Sequence, residues 1–162
     1  MKVRTAVIDD YENVVKFIDK YFTGEGYGFV NREQIKTEIL KKRVIISLDG
    51  SEINGLRIGW DRIWNLVVKT DCRGKGIGKE LIEYHRPNYI RVKSDPVGHL
   101  NKIQKENFVD PTEFYERLGF VYVGHDYGRN FYAGEKDGKR VAYSKGEKKH
   151  IKLYRNPEKT WW

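Results

Sequence analysis

The stretch Asn65-Leu66-Val67-Val68-Lys69-Thr70-Asp71-Cys72-Arg73-Gly74-Lys75-Gly76-Ile77-Gly78-Lys79-Glu80-Leu81-Ile82 decides how the chain is read. Its apolar start, continuous with Ile63, has the composition of a strand and breaks at a polar, glycine-rich turn. Beyond the turn, Ile77, Leu81, Ile82 and His85 recur at helical spacing until Pro87 stops the pattern. Strand, glycine turn and helix in this order make an anion cradle. Glycines let the backbone approach a phosphate closely, and the first amides of a helix lack internal partners. Arg73, Lys75 and Lys79 add positive charge around its mouth. A tight turn with solvated basic residues satisfies the same hexapeptide, so the decision passes to the spacing and to the rest of the chain.

The spacing excludes the commoner phosphate loops. A Walker loop, Gly-x-x-x-x-Gly-Lys-[Ser/Thr], has no match here, and no hydroxyl follows Lys79. Gly74, Gly76 and Gly78 alternate, whereas a dinucleotide fold has Gly-x-Gly-x-x-Gly. What fits is Arg-x-x-Gly-x-Gly, present as Arg73-Gly74-Lys75-Gly76-Ile77-Gly78 after Leu66-x-Val68. A second segment, Phe114-Tyr115-Glu116-Arg117-Leu118-Gly119-Phe120, follows roughly forty residues later. Together the two closely resemble the acetyl-CoA loop and the (Leu/Phe)-Tyr-x-x-x-Gly-Phe segment of the GCN5-related N-acetyltransferases. In element order the resemblance covers about residues 1–125.

The remaining elements suit that resemblance. Val3 to Ile8 reads as a short strand, and Asp9-Asp10-Tyr11-Glu12 as a capping box opening a helix with Val14, Val15, Phe17, Ile18, Tyr21 and Phe22 on one face. Thr23 to Gly28 is a glycine-rich loop, and Asn31 to Gln34 begins a second helix carrying Ile35, Ile39 and Leu40 inward. Strands are expected over 43–48, 53–58 and 61–68, and a fifth over 89–93. Asp110-Pro111-Thr112-Glu113 reads as a helix start with Asp110 as cap, Pro111 first and Glu113 as reciprocal partner. Gly119 closes that helix and a strand follows from Phe120. Two more β-rich runs, 130–134 and 140–144, flank Lys136-Asp137-Gly138.

The 162 residues, 39% hydrophobic, argue for one domain over 1–162, with a core at 1–125 and a basic extension at 126–162. The fold class expected is α/β in the α+β sense: a mixed, mostly antiparallel twisted sheet flanked by helices, with a C-terminal hairpin and basic tail. No apolar run reaches eighteen residues and the N-terminus lacks an apolar signal region. The single cysteine, Cys72, is read as an inert loop thiol. These features predict a cytoplasmic protein without a membrane partner.

Charge is uneven. Residues 1–70 carry 12 basic and 10 acidic side chains, a net of +2. Residues 71–125 carry 9 and 8, a net of +1, and residues 126–162 carry 10 and 5, a net of +5, which completes the +8 total. Basic residues interleaved with aromatics from Lys148 to Arg155, before Trp161-Trp162, suit a nucleic-acid surface. They equally suit a solvated edge hairpin with blunting lysines.

The acetyltransferase resemblance implies direct transfer of an acetyl group from acetyl-CoA to an amine acceptor, with no metal. It implies that Leu66, Val67 and Val68 lie along the coenzyme, with a backbone N–H near Val67 or Val68 facing the thioester oxygen. The loop Arg73, Gly74, Lys75, Gly76, Ile77, Gly78 and Lys79 would hold the pyrophosphate. Tyr115 would take the general-acid position; a core tyrosine with a backbone partner is the alternative. Candidates for the base are Asp95 and His99, just after the fifth strand. Asp61 and Asn65, at period two with Ile63 and Val67, share a face. His85 and His150 rank lower. The family's asparagine seven residues before its tyrosine falls on Phe108, with Asn107 one position out of register. Ser94-Asp95-Pro96-Val97-Gly98-His99, with Gln104 and Asn107-Phe108, is similar to the loop of Mom-type phage proteins, which modify adenine in DNA. That second resemblance implies a DNA-modifying enzyme on the same scaffold, and a non-catalytic nucleic-acid-binding protein is the third reading.

Overall fold

Continuous buried runs, such as Val44-Ile45-Ile46, build an antiparallel sheet from the first half of the chain. The computed structural model describes residues 2–21, 32–63, 65–93, 111–125, 133–136, 139–142 and 151–158. The chain divides into two compact units, Met1–Pro87 and Asn88–Trp162. In the first, β1 (Lys2–Thr5), β2 (Val44–Asp49), β3 (Glu52–Ile58) and β5 (Asn65–Val68) lie in that order, each antiparallel to its neighbour. The single strand expected over 61–68 is instead β4 (Arg62–Ile63) and β5, and Asp61 precedes both.

Each face of this sheet has its own helices. Val44, Ile46, Leu56, Ile58 and Val67 pack against Val14, Val15, Phe17 and Ile18 of α1 (Tyr11–Tyr21) and Ile35 and Ile39 of α2 (Arg32–Leu40). The opposite face, Val3, Ile45, Leu66 and Val68, meets Ile77 and Leu81 of α3 (Ile77–Glu83). Burying side chains of this size contributes about 1.5–3 kcal/mol each. The helix approaches closely because Gly55 has no side chain: a Cβ there would lie 2.7 Å from Ile77 Cγ2 and 3.0 Å from Leu81 Cδ1.

The start of α1 departs from the expected capping box. A 3₁₀ turn covers Ile8–Asp10, and Asp10, rather than Asp9 or Glu12, accepts the Val7 N–H at 2.7 Å. Arg4, at the end of β1, forks onto the same carboxylate at 2.7 and 2.9 Å. The bidentate guanidinium and the Val7 amide share this carboxylate, and these bonds hold Asp10 below the ordinary carboxylate range.

In the second unit, β10 (Ile151–Arg155) runs antiparallel between β6 (Tyr89–Lys93) and β7 (Val121–His125). Residues 151–155, read from the sequence as part of a basic extension, are therefore the strand that joins β6 to β7. Tyr154, 1% exposed, donates its hydroxyl to Glu116 at 2.9 Å. A separate hairpin joins β8 (Ala133–Lys136) to β9 (Lys139–Ala142). Helix α4 (Thr112–Arg117) ends as its sequence dictates: Gly119 is left-handed at φ 91°, its N–H donates to the Glu116 carbonyl, and Phe120 N–H reaches back to Tyr115. Its start differs from the expected box. Pro111 takes the capping position without a side-chain bond, Glu113 pairs with Arg117, and Asp110 lies outside the described residues. Among the described residues no helix is long and apolar enough to cross a membrane.

Candidate functional site

The hydrogen-bond parity of β5 determines which of its amides face outward. Lys69 N–H donates to the Asn54 carbonyl at 2.9 Å, and the register places Gly55 opposite Val68 and Leu56 opposite Val67. Antiparallel pairs alternate between hydrogen-bonded and non-hydrogen-bonded. The Leu56/Val67 and Ile58/Asn65 pairs therefore exchange bonds, and the Val67 amide is taken by β3. The Leu66 and Val68 amides point the other way, off the edge of a sheet in which β5 is the last strand. They lie about 6.8 Å apart along the strand. The Val68 carbonyl, on the same edge, accepts Arg73 Nε at 3.3 Å.

The loop continues directly from that edge. A 3₁₀ turn, Thr70–Cys72, is closed by Cys72 N–H on the Lys69 carbonyl at 2.8 Å. Lys69 itself pairs with Glu52 at 2.9 Å, which holds its ammonium above the ordinary lysine range. Gly74 and Gly76 follow at φ +79° and +84°, conformations that L side chains rarely adopt. At both, a Cβ would meet nothing within 4 Å, so backbone conformation rather than crowding calls for glycine. Gly76 caps α3 without a side-chain bond. Glu80 N–H, on the Gly76 carbonyl, begins the helical ladder, so the amides of Ile77, Gly78 and Lys79 precede it. Arg73, Lys75 and Lys79 are exposed around them, while Ile77 is buried as the helix's anchor. Outward amides, left-handed glycines and exposed cations thus come together on consecutive residues.

Asn65 and Asp61 do not share a surface as their spacing implied. Asn65 is buried beside Val67, and its Oδ1 is enclosed with no hydrogen-bond partner among the described residues. Asp61 is exposed, 3.3 Å from Nε2 of His85, whose ring stacks on Trp60 at 3.8 Å. Helix α3 stops at Glu83, so His85 lies past its end rather than on its apolar face. Cys72 is half-buried, with its thiol 3.6 Å from Asp71 Oδ1.

In the second unit Tyr115 is 6% exposed, edge-on to Phe114 and Phe120 at 5.0 and 6.4 Å between centroids. Asp95, His99, Asn107, Phe108 and His150 lie outside the described residues. Two participants escaped sequence reasoning. Arg57, on β3, is fully buried, and its guanidinium bonds main-chain carbonyls at the end of α3. Gly55 admits α3. The signal available was a lone arginine two residues after a glycine within an apolar strand.

Residues 7–122, more than half the chain, match the model of the acetyltransferase (GNAT) domain. Among curated proteins none matches in sequence. Solved structures share the fold. An aminoglycoside 6'-acetyltransferase type Ii is 20% identical, with a TM-score of 0.62 and 96% of each chain covered. A GNAT-family acetyltransferase from Bacillus cereus ATCC 10987 is 17% identical at a TM-score of 0.56, covering 96% of this chain and 95% of that one. An aminoglycoside 6'-N-acetyltransferase complexed with coenzyme A is 19% identical at 0.56, covering 80% and 90%. The chain belongs to the GNAT acetyltransferase family.

Proposed function

We propose that the protein is an N-acetyltransferase that binds acetyl-CoA along the outer edge of β5 and the Arg73–Lys79 loop and passes the acetyl group directly to an amine. The observation that carries this reading is the parity of β5: two outward amides, Leu66 and Val68, lead straight into a loop built on left-handed glycines. The fit is chemical as well as geometric. An arm containing amides pairs with a strand edge as an added strand does, and clustered backbone N–H groups with arginine and lysine suit a diphosphate.

Bound there, acetyl-CoA supplies a thioester carbonyl for the amine: a C–N bond forms, the C–S bond breaks, the amine loses a proton and the thiolate gains one. The chain's own groups assist at each point. The loop amides, Arg73, Lys75 and Lys79 hold the diphosphate. Val68 pairs with the arm, and Leu66 N–H, two residues farther from the loop, polarises the carbonyl. Donors placed this way are worth about 2.7–4 kcal/mol each where they have been removed. Tyr115 is the proton donor to the thiolate in this reading, on the strength of its motif, and Asp95 and His99 are the candidates for the base.

The acceptor is constrained by charge. A net +8 opposes a polycation, so the aminoglycosides of the two structural relatives are a poor electrostatic match. A neutral or anionic amine-bearing acceptor fits better. The adenine-modifying reading rests on residues 94–108 and on the +5 of residues 126–162; the family match and the structures above do not point to it.

Incubation with acetyl-CoA and pooled amines, peptides and DNA, followed by mass spectrometry of every product, tests the proposal. An acetylated amine with stoichiometric free thiol is the expected result. Coenzyme binding without acetylation of any pool would replace the reading with a non-catalytic one.

A further inference from the structure

We propose that Arg57 and Gly55 are positioning residues that set the distance between the glycine loop and the edge of β5. The inference rests on reading that loop and edge as the two halves of the coenzyme site. The cross-strand partners of the two outward-facing residues are these two: Gly55 lies opposite Val68 and Arg57 opposite Leu66. Both present their side-chain positions to the α3 face. Gly55 lets the first turns of the helix down onto the sheet, with no room for a methyl group beneath Ile77 and Leu81.

Arg57 holds the other end. Its Nη1 donates to the carbonyls of Leu81 at 2.8 Å, Ile82 at 3.3 Å and His85 at 2.6 Å. Its Nη2 donates to Trp60 at 2.7 Å and its Nε to Gly59 at 3.1 Å. The last carbonyls of a helix have no partners within it, and a cation there is favoured by the helix dipole. One fully buried guanidinium thus ties the end of α3 to the corner after β3. The Trp60–His85 stack and the Asp61–His85 bond close the same corner from outside.

The mechanical consequence follows from length. Helix α3 has seven residues and is about 10 Å long, a strut too short to bend. Fixing its end at Arg57 and its depth at Gly55 fixes where it begins, at Gly76. A coenzyme that must reach loop and edge together gains affinity from the link only when the two subsites stand at the matching separation. Arg57 therefore acts on the joined ligand more than on either half.

Calorimetry of the whole chain with CoA and with ADP, which carries the diphosphate without the arm, separates this role from simple stabilisation. Thermal melts confirm that each variant is folded at the assay temperature. In Arg57→Met we expect CoA affinity to fall about tenfold or more while ADP affinity changes less than about twofold, with Arg57→Lys recovering part of the loss. Equal losses for both ligands, or no change in either, overturn the proposal. Should Arg57→Met fail to fold, Gly55→Ala carries the test: its methyl would press on Ile77 Cγ2 and Leu81 Cδ1 and displace the helix, and it too must weaken CoA selectively. A parent chain that binds neither ligand overturns the coenzyme reading itself, a result distinct from variants that lose both.

Discussion

Replacing Gly76 by alanine isolates the backbone contribution of the loop. Gly76 sits at φ +84° and a Cβ would meet nothing within 4 Å, so the substitution creates no clash in the folded chain. What it adds is the conformational penalty of a left-handed alanine, about 1–2 kcal/mol. The loop can relieve that penalty only by leaving the binding conformation. By the population argument, CoA affinity then falls by roughly 5- to 30-fold. Gly74→Ala, at φ +79°, should behave alike, and the double variant should lose roughly 30- to 1,000-fold if the penalties add. Gly76→Asn is the control, because asparagine tolerates the left-handed region; it should keep most of the affinity. Calorimetric titration with CoA, with melting temperature measured in parallel, reads these effects. Parent-like affinity in the double alanine variant would refute the claim that these amides, in this conformation, form the cradle.

Other outcomes test separate parts of the account. Tyr115→Phe keeps the ring contacts with Phe114 and Phe120, so coenzyme affinity should hold while turnover drops about a hundred- to ten-thousand-fold; unchanged turnover would make Tyr115 a packing residue. Asp10 titrates below the ordinary carboxylate range because Arg4 and the Val7 amide stabilise its charged form. Its contribution to stability is complete above the unfolded-state value, about 3.9, and is lost as pH falls through the lower folded value. Melts from pH 6 downward should thus fall more steeply for the parent than for Asp10→Asn; parallel curves would remove Asp10 from the account. If the basic C-terminal residues hold nucleic acid, changing Lys148, Lys149, Lys152 and Arg155 to glutamine should weaken DNA binding and flatten its salt dependence, leaving CoA affinity intact; no binding by the parent at low salt would end that reading.

What the sequence made legible was local. The β5–loop–α3 run with its glycine-rich turn and the closure of α4 at Gly119 follow from residue chemistry within a few positions, and each is present. What escaped depends on partners far along the chain. Arg57 finds acceptors at Leu81, Ile82 and His85, 24 to 28 residues on. Asp10 rather than Asp9 or Glu12 binds at the start of α1 because β1 delivers Arg4 there. The place of β10 between β6 and β7 is likewise a non-local pairing that no window of residues contains. Even the choice among the Leu66, Val67 and Val68 amides needed one bond, Lys69 to Asn54, to set the ladder's phase.

That phase is the most direct point of test. Residue-resolved amide hydrogen exchange, with and without CoA, reports on Leu66, Val67 and Val68 separately. The account predicts that CoA slows exchange at Leu66 and Val68 and across Gly74 to Gly78, while Val67, already bonded to β3, is slow in both states. Protection of Val67 alone, or Leu66 and Val68 amides that exchange equally fast with and without bound CoA, would contradict it.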